Sequence, residues 1–197
     1  AATAIWGSQH IHLYDQPEID GVFGLWYGKG PGLDRALDAI RHANMGGVAK
    51  YGGMVLAVGD DATGKSSTLA YQSEQTLIAA GVPFFYPRSI HDIIPMGLQA
   101  FALSRLAGCC VGMKIVVDTA DTSSIIDLDQ IRPKITANNE SGPVHIGRHD
   151  PALVREDRLF NLRLPAVRRF QKAQNINSIF GSQPAIGKLG IITVGKT

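Results

Sequence analysis

The chain has 197 residues, room for one good-sized α/β domain with an appendage and too few for two full domains. With 45% apolar and 18% charged residues it is far from the composition of a disordered chain and can bury a core. A formal net charge of +2 makes no case for nucleic acid or a membrane surface as partner, and the lack of an 18-residue apolar run or a cleavable signal favours a cytoplasmic protein.

In chain order, Ala1 to Trp6 is helix-forming and lacks an initiator Met, so this end reads as cut. Val22 to Trp26 is an apolar run with the character of a buried strand, and Leu33 to Asn44 follows as a helix with Leu33, Leu37 and Ile40 on one stripe. Met54 to Val58 repeats the strand pattern, and Ser66 to Ala80 reads as the next helix through Leu69, Leu77 and Ile78. Phe84 to Tyr86 is a shorter strand. Ser89 is placed to cap a helix running to Leu106, bent or delayed by Pro95, and Val111 to Val117 closes the series. Such alternation predicts a three-layer α/β fold with a parallel sheet over residues 1–130.

Cys109 and Cys110 sit in an apolar run and read as small core residues; two thiols are too few for an iron–sulfur cluster. After Asp129 the apolar periodicity lapses. Residues 131–187 are expected to be a basic linker containing a helix around Leu162 to Gln174, with Pro165 in its first turn. Nine of the 19 Lys and Arg residues fall between Arg132 and Lys172, without the aromatic interleaving of a nucleic-acid surface. Residues 188–197 resemble the first strand of a following domain, so this end too reads as cut.

Three patterns invite a chemical reading. Gly59-Asp60-Asp61-Ala62-Thr63-Gly64-Lys65-Ser66 fits G-x-x-x-x-G-K-S between a predicted strand and helix, with Asp118 available as a magnesium-side carboxylate. Against nucleotide binding, Asp60 and Asp61 would put two negative charges where amides should meet phosphate. Trp26-Tyr27-Gly28-Lys29-Gly30-Pro31-Gly32-Leu33-Asp34-Arg35 is a glycine-rich strand-to-helix turn, either a ligand cradle or a tight structural bend. His145-Ile146-Gly147-Arg148-His149-Asp150 has H-x-x-x-H spacing, but in a loop that does not align the rings, so no metal site is assigned.

The run Asp20 to Arg35, His42-Ala43-Asn44, Gly59-Asp60-Asp61 with Lys65-Ser66-Ser67-Thr68-Leu69 and Gln72-Ser73-Glu74, then Gly97-Leu98 and Ala102-Leu103-Ser104-Arg105 before Gly108-Cys109, resembles the large fused bacterial indolepyruvate ferredoxin oxidoreductases over roughly residues 1–130. The resemblance implies the pyrimidine-type domain of a thiamine-diphosphate enzyme, truncated at its N-terminus. It implies an activity, oxidative decarboxylation of aryl or related 2-oxoacids to acyl-coenzyme A, with electrons passed through iron–sulfur clusters to ferredoxin. Thiamine diphosphate with Mg2+ would have its site completed outside this chain. Iron–sulfur clusters and coenzyme A would be bound elsewhere in a parent polypeptide that is homo-oligomeric.

On that reading Lys29, Asp60, Asp61 and Arg105 are the catalytic candidates, with Lys29 and Arg105 meeting the substrate carboxylate. Gly28, Gly30, Gly32, Ser66, Ser67 and Gln72 are the cofactor-facing candidates. The glutamate expected to activate the thiamine ring is not within these residues, so the isolated chain is expected to be inactive. The alternatives are a phosphate-loop nucleotide-binding protein built on Gly59 to Ser66 and a non-catalytic interface module.

Overall fold

A computed structural model describes residues 1–65, 68–127, 131–136, 142–178 and 191–196. Helix α1 (Ala2–Ser8) and a 3-10 turn at Ile11–Leu13 precede β1 (Phe23–Lys29), α2 (Gly30–Gly46), β2 (Gly53–Asp60), α3 (Glu74–Ala79), β3 (Phe84–Phe85), α4 (Ile90–Ala107), β4 (Cys110–Val116) and α5 (Val117–Ala120). The four strands form one all-parallel sheet in the order β1-β2-β4-β3. The first strand extends past the predicted Trp26 because pairing with β2 continues until Lys29 stands opposite Gly59.

Strand alternation divides the core between the two faces of the sheet. Met54, Leu56 and Val58 point to one side and pack with Trp26, Leu33, Ile40 and Leu77 under α1, α2 and α3. Val55, Val111 and Met113 point to the other, against Leu103 and Leu106 of α4. Helices therefore cover both faces, as a parallel sheet requires. Pro95 lies inside α4 and neither delays its start nor ends it. Two buried polar side chains bracket the elements. Asn44 donates to the carbonyls of Ala80 and Gly81 and accepts from the Cys110 amide, while the Ser104 hydroxyl donates to the Cys109 carbonyl and accepts from the Met54 amide.

The C-terminal half is more integrated than a linker. Helix α6 (Ala152–Arg158), a π-helical turn (Leu159–Arg163) and α7 (Leu164–Ala173) run on without a break, and Ala166 and Phe170 join the core on the α4 side. Pro165 falls in the first turn of α7, where its missing N–H leaves Asn161 without an α-type donor; a π turn directly before it absorbs that gap. Val144, Ile146 and Leu159 are also buried, and the Ile146 amide donates to the Val48 carbonyl. Ile191 and Ile192, expected to begin a strand, are exposed and pair with none; residues 188–190 lie outside the described residues.

Arg163 ties this half down. It is fully buried, and its guanidinium donates to the carbonyls of Val144 (2.6 Å), Asn44 (3.1 Å), Met45 (2.9 Å) and Gly46 (3.0 Å). Three of those are the otherwise orphaned last carbonyls of α2, the negative end of its dipole. Gly47, at φ +96°, follows them, and a Cβ there would collide with the guanidinium. Burial lowers the Arg163 pKa to about 10, which leaves it protonated at neutral pH. Arg163→Met should cost about 2–5 kcal/mol, because four buried acceptors lose a charged donor together. Urea denaturation followed by circular dichroism measures this, and an unchanged midpoint would show that Arg163 is not the anchor.

Candidate active site at the carboxyl edge

Both glycine-containing turns open on the carboxyl edge of the sheet, as the parallel register demands: Lys29 ends β1 beside Gly59, and Asp60 ends β2 beside Val116. Ligands of open α/β sheets bind at this edge. Lys29 is exposed there, Gly30 opens α2, and Gly32 sits in its first turn with room around it. Gly28 and Gly30 do not form an open cradle. A Cβ at Gly28 would meet the Trp26 indole, and one at Gly30 would enter the Tyr71 ring. The space their missing side chains leave is filled by this chain's own aromatic groups.

Asp60 and Asp61, expected to be catalytic, are 2% and 5% exposed and organise the loop that follows β2. Asp60 accepts from the Ser73 amide (2.7 Å) and hydroxyl (2.5 Å), and lies 3.2 Å from the Lys114 ammonium. Asp61 accepts the Lys65 amide on its side chain (2.8 Å) and the Gly64 and Tyr71 amides on its carbonyl. These captured donors explain why the helix predicted from Ser66 begins only at Glu74. Side-chain acceptors and the folded-back carbonyl compete with the helical ladder for the same N–H groups. Gln72 is exposed on this loop, while Ser66 and Ser67 lie outside the described residues.

A lysine that the apolar pattern concealed stands at the centre. Lys114 of β4 is almost fully buried, pairs with Asp60 and hydrogen-bonds Glu74 at the start of α3, and its ammonium lies 4.6 Å from the centre of the Tyr86 ring. Burial opposes its charge, but Glu74 and Asp60 outweigh burial and hold its pKa above the ordinary lysine value. The other carboxylate oxygen of Glu74 and the Thr119 hydroxyl, just past the end of β4, are buried without a partner among the described residues. The detectable signal was a single lysine in an otherwise apolar central strand, where a charge persists only if paired. Ser73, Glu74, Tyr71 and Tyr86 carried no comparable signal.

Arg105 belongs to another place. It lies in the last turn of α4, and its guanidinium stacks over Phe23 (6.0 Å) and Tyr51 (5.4 Å). Phe23 opens β1, so Arg105 is at the amino edge, roughly 20 Å along the strand from Lys29. The structure thus gathers Lys29, Gly30, Asp60, Asp61 and Gln72 at one edge and removes Arg105 from them. Within the phosphate-loop motif, Lys65 pairs with Asp118 at 3.0 Å, and residues 68–73 are not helical. His145 is held by the Arg105 carbonyl, and burial lowers its pKa.

No protein-family model, curated protein or solved structure matches the chain. No helix of the described residues is long and apolar enough to cross a membrane.

Two outcomes follow from this geometry. The Lys114 contribution, with its pKa raised on folding, is complete at neutral pH and disappears only as pH climbs through and beyond the usual lysine range. Lys114→Met leaves Asp60 and Glu74 without their cation. It should cost about 3 kcal/mol or more at pH 7, because a buried pair broken by removing one partner leaves uncompensated charge. Urea denaturation at pH 7 is the check, and an unchanged midpoint would count against the buried ion network. Calorimetric titration with ATP and Mg2+ should give no heat of binding, because the Lys65 amide is already bonded to Asp61 and residues 68–73 are not helical. Micromolar binding abolished by Lys65→Ala would restore the nucleotide reading.

Proposed function

We propose that this chain is part of a thiamine-diphosphate-dependent 2-oxoacid:ferredoxin oxidoreductase of the indolepyruvate type, supplying one wall of a substrate site and inactive in isolation. The sequence resemblance suggests the family, and one structural observation supports it. The turn at Gly28 to Gly32 and the loop from Asp60 to Glu74 meet at the carboxyl edge, where Tyr71 packs on Gly30.

In this reading Lys29 is the group that meets the 2-oxoacid carboxylate, being a cation exposed at that edge. Asp60, Lys114 and Glu74 act through the loop they hold. A hydrogen-bonded cluster of one cation and two carboxylates fixes the backbone on which Tyr71 and Gln72 stand, and preorganises one side of the site. Thiamine diphosphate with Mg2+ belongs to the parent enzyme, held mainly by regions outside this chain. Gly28 and Gly30, packed against Trp26 and Tyr71, do not fit the role of its cradle. Iron–sulfur clusters and coenzyme A are likewise assigned to other parts, and ferredoxin to the surroundings of those clusters.

The parent enzyme provides the test. Lys29→Ala should raise KM for the 2-oxoacid about tenfold or more in ferredoxin-reduction assays, the loss of one charge-assisted contact, with kcat less affected. Arg105→Ala should leave both constants near wild type, because it lies at the opposite edge. Wild-type kinetics for Lys29→Ala, with circular dichroism unchanged, would place the substrate elsewhere.

A further inference from the structure

Strand β1 lies at the edge of the sheet, and on the α4 side its large apolar residues are left largely uncovered by the described residues, with only Phe23 flanked by Phe101 and Arg105. Phe23, Leu25 and Tyr27 project to that face in succession and are 54%, 52% and 81% exposed. Leu25 stands beside Val55, which α4 buries completely, so the coverage stops between two neighbouring strands. The flank of α4 continues the apolar surface through Ile94 and Leu98, four residues apart on one helical face and both exposed. Between strand and helix runs a groove of about 360 Å³ lined by Phe23, Leu98, Phe101, Ala102, Arg105, Leu106 and Ile135. Isolated exposed apolar residues are ordinary, but a contiguous row on a parallel sheet is not, because such sheets are covered on both faces.

The dimensions suit a helix. Packed helices lie about 8–10 Å apart and strands about 4.8 Å apart, so a helix lying beside α4 falls over β1. Seven residues of strand span roughly 23 Å, the length of about 15 helical residues.

Charge decides between possible occupants. Among the described residues the groove carries one cation, Arg105, and no carboxylate, and Lys50 lies beside it over the Tyr51 ring. Among the described residues neither cation has an ion-pair partner. A second copy joined about a two-fold axis would draw both sides of the contact from these same residues, and the described ones offer Arg105 no carboxylate. We infer that the uncovered face of β1 and α4 docks an amphipathic α-helix from outside this chain, with its apolar stripe on Phe23, Leu25, Tyr27 and Leu98 and a carboxylate at the end over Arg105. The inference is independent of any chemistry at the carboxyl edge, since it rests on a face of the sheet and on its opposite end.

A displayed library of helices about 18 residues long, with leucine fixed at i, i+3, i+4 and i+7 and the flanking positions randomised, can be sorted against the labelled chain. Selected helices should carry Asp or Glu at one end. They should bind Leu25→Asp and Tyr27→Asp at least about tenfold more weakly, and on Arg105→Glu the selection should switch to Lys or Arg at the same positions. Leu25 and Tyr27 are exposed, so circular dichroism of both variants should match wild type and separate lost docking from lost folding. No enrichment, or enrichment indifferent to these three variants, overturns the proposal. So does a dimer in sedimentation analysis that Leu25→Asp dissociates, which would assign the face to a second copy.

Discussion

A parallel sheet leaves every strand with two faces that must be kept from water, and this constraint arranges the rest of the molecule. Helices α1, α2 and α3 close one face over Met54, Leu56 and Val58. On the other face α4 alone is too narrow for four strands, and α7 is brought back from the C-terminal half to help cover Val111 and Met113. The return is secured by hydrogen bonds rather than by apolar contact alone: Arg163 ends on three carbonyls of α2, a helix from the opposite layer. One cation thereby joins the two faces through the rim of the sheet.

The carboxyl edge obeys a different economy of polar groups. Lys114 and Asp60 are taken out of water together, with Glu74 half-buried beside them, which is tolerable because the one ammonium meets both carboxylates. Their arrangement turns what could be a mobile strand-to-helix connection into a shaped wall with Tyr71 against Gly30. Catalytic sites need such supporting groups as much as reacting ones, since reacting atoms misplaced by about an ångström lose much of their advantage. Asp60 and Asp61 therefore hold the loop, while Lys29 is left exposed at the same edge.

Much of the fold was legible because its signals are local. Continuous apolar runs marked β2 and β4, and Leu33, Leu37 and Ile40 marked α2. What stayed hidden depends on contacts far apart in the chain. Arg163 reads as one more charge in a basic stretch, since its acceptors lie 117 to 119 residues away, apart from Val144. Lys114 is opaque in the same way, with partners 40 and 54 positions earlier. The edge on which Arg105 falls is also legible from topology. A helix that leaves the carboxyl end of one parallel strand must return to the amino end of the next, so its last turn belongs at the amino edge. The helix expected from Ser66 starts late for a local reason, because Asp61 and Asp60 take the Tyr71 and Ser73 amides that periodicity assigns to helix.

The π turn at Leu159–Arg163 also bears on how this segment can change over evolutionary time. Successive α-helical residues differ by about 100° around the axis, so a residue added to an α-helix rotates everything beyond it by that angle unless a π turn absorbs it. Both sides of the turn are separately fastened: Arg158 to Asp150 upstream, and Phe170 to the core beneath α4 downstream. Because a π turn holds one residue more than the α-helix it interrupts, losing one would restore α geometry with Phe170 still in phase, but would bring the Pro165 ring against the carbonyl four residues before it. The extra residue and the proline after it are therefore tied together: the first can be lost only if the second is replaced.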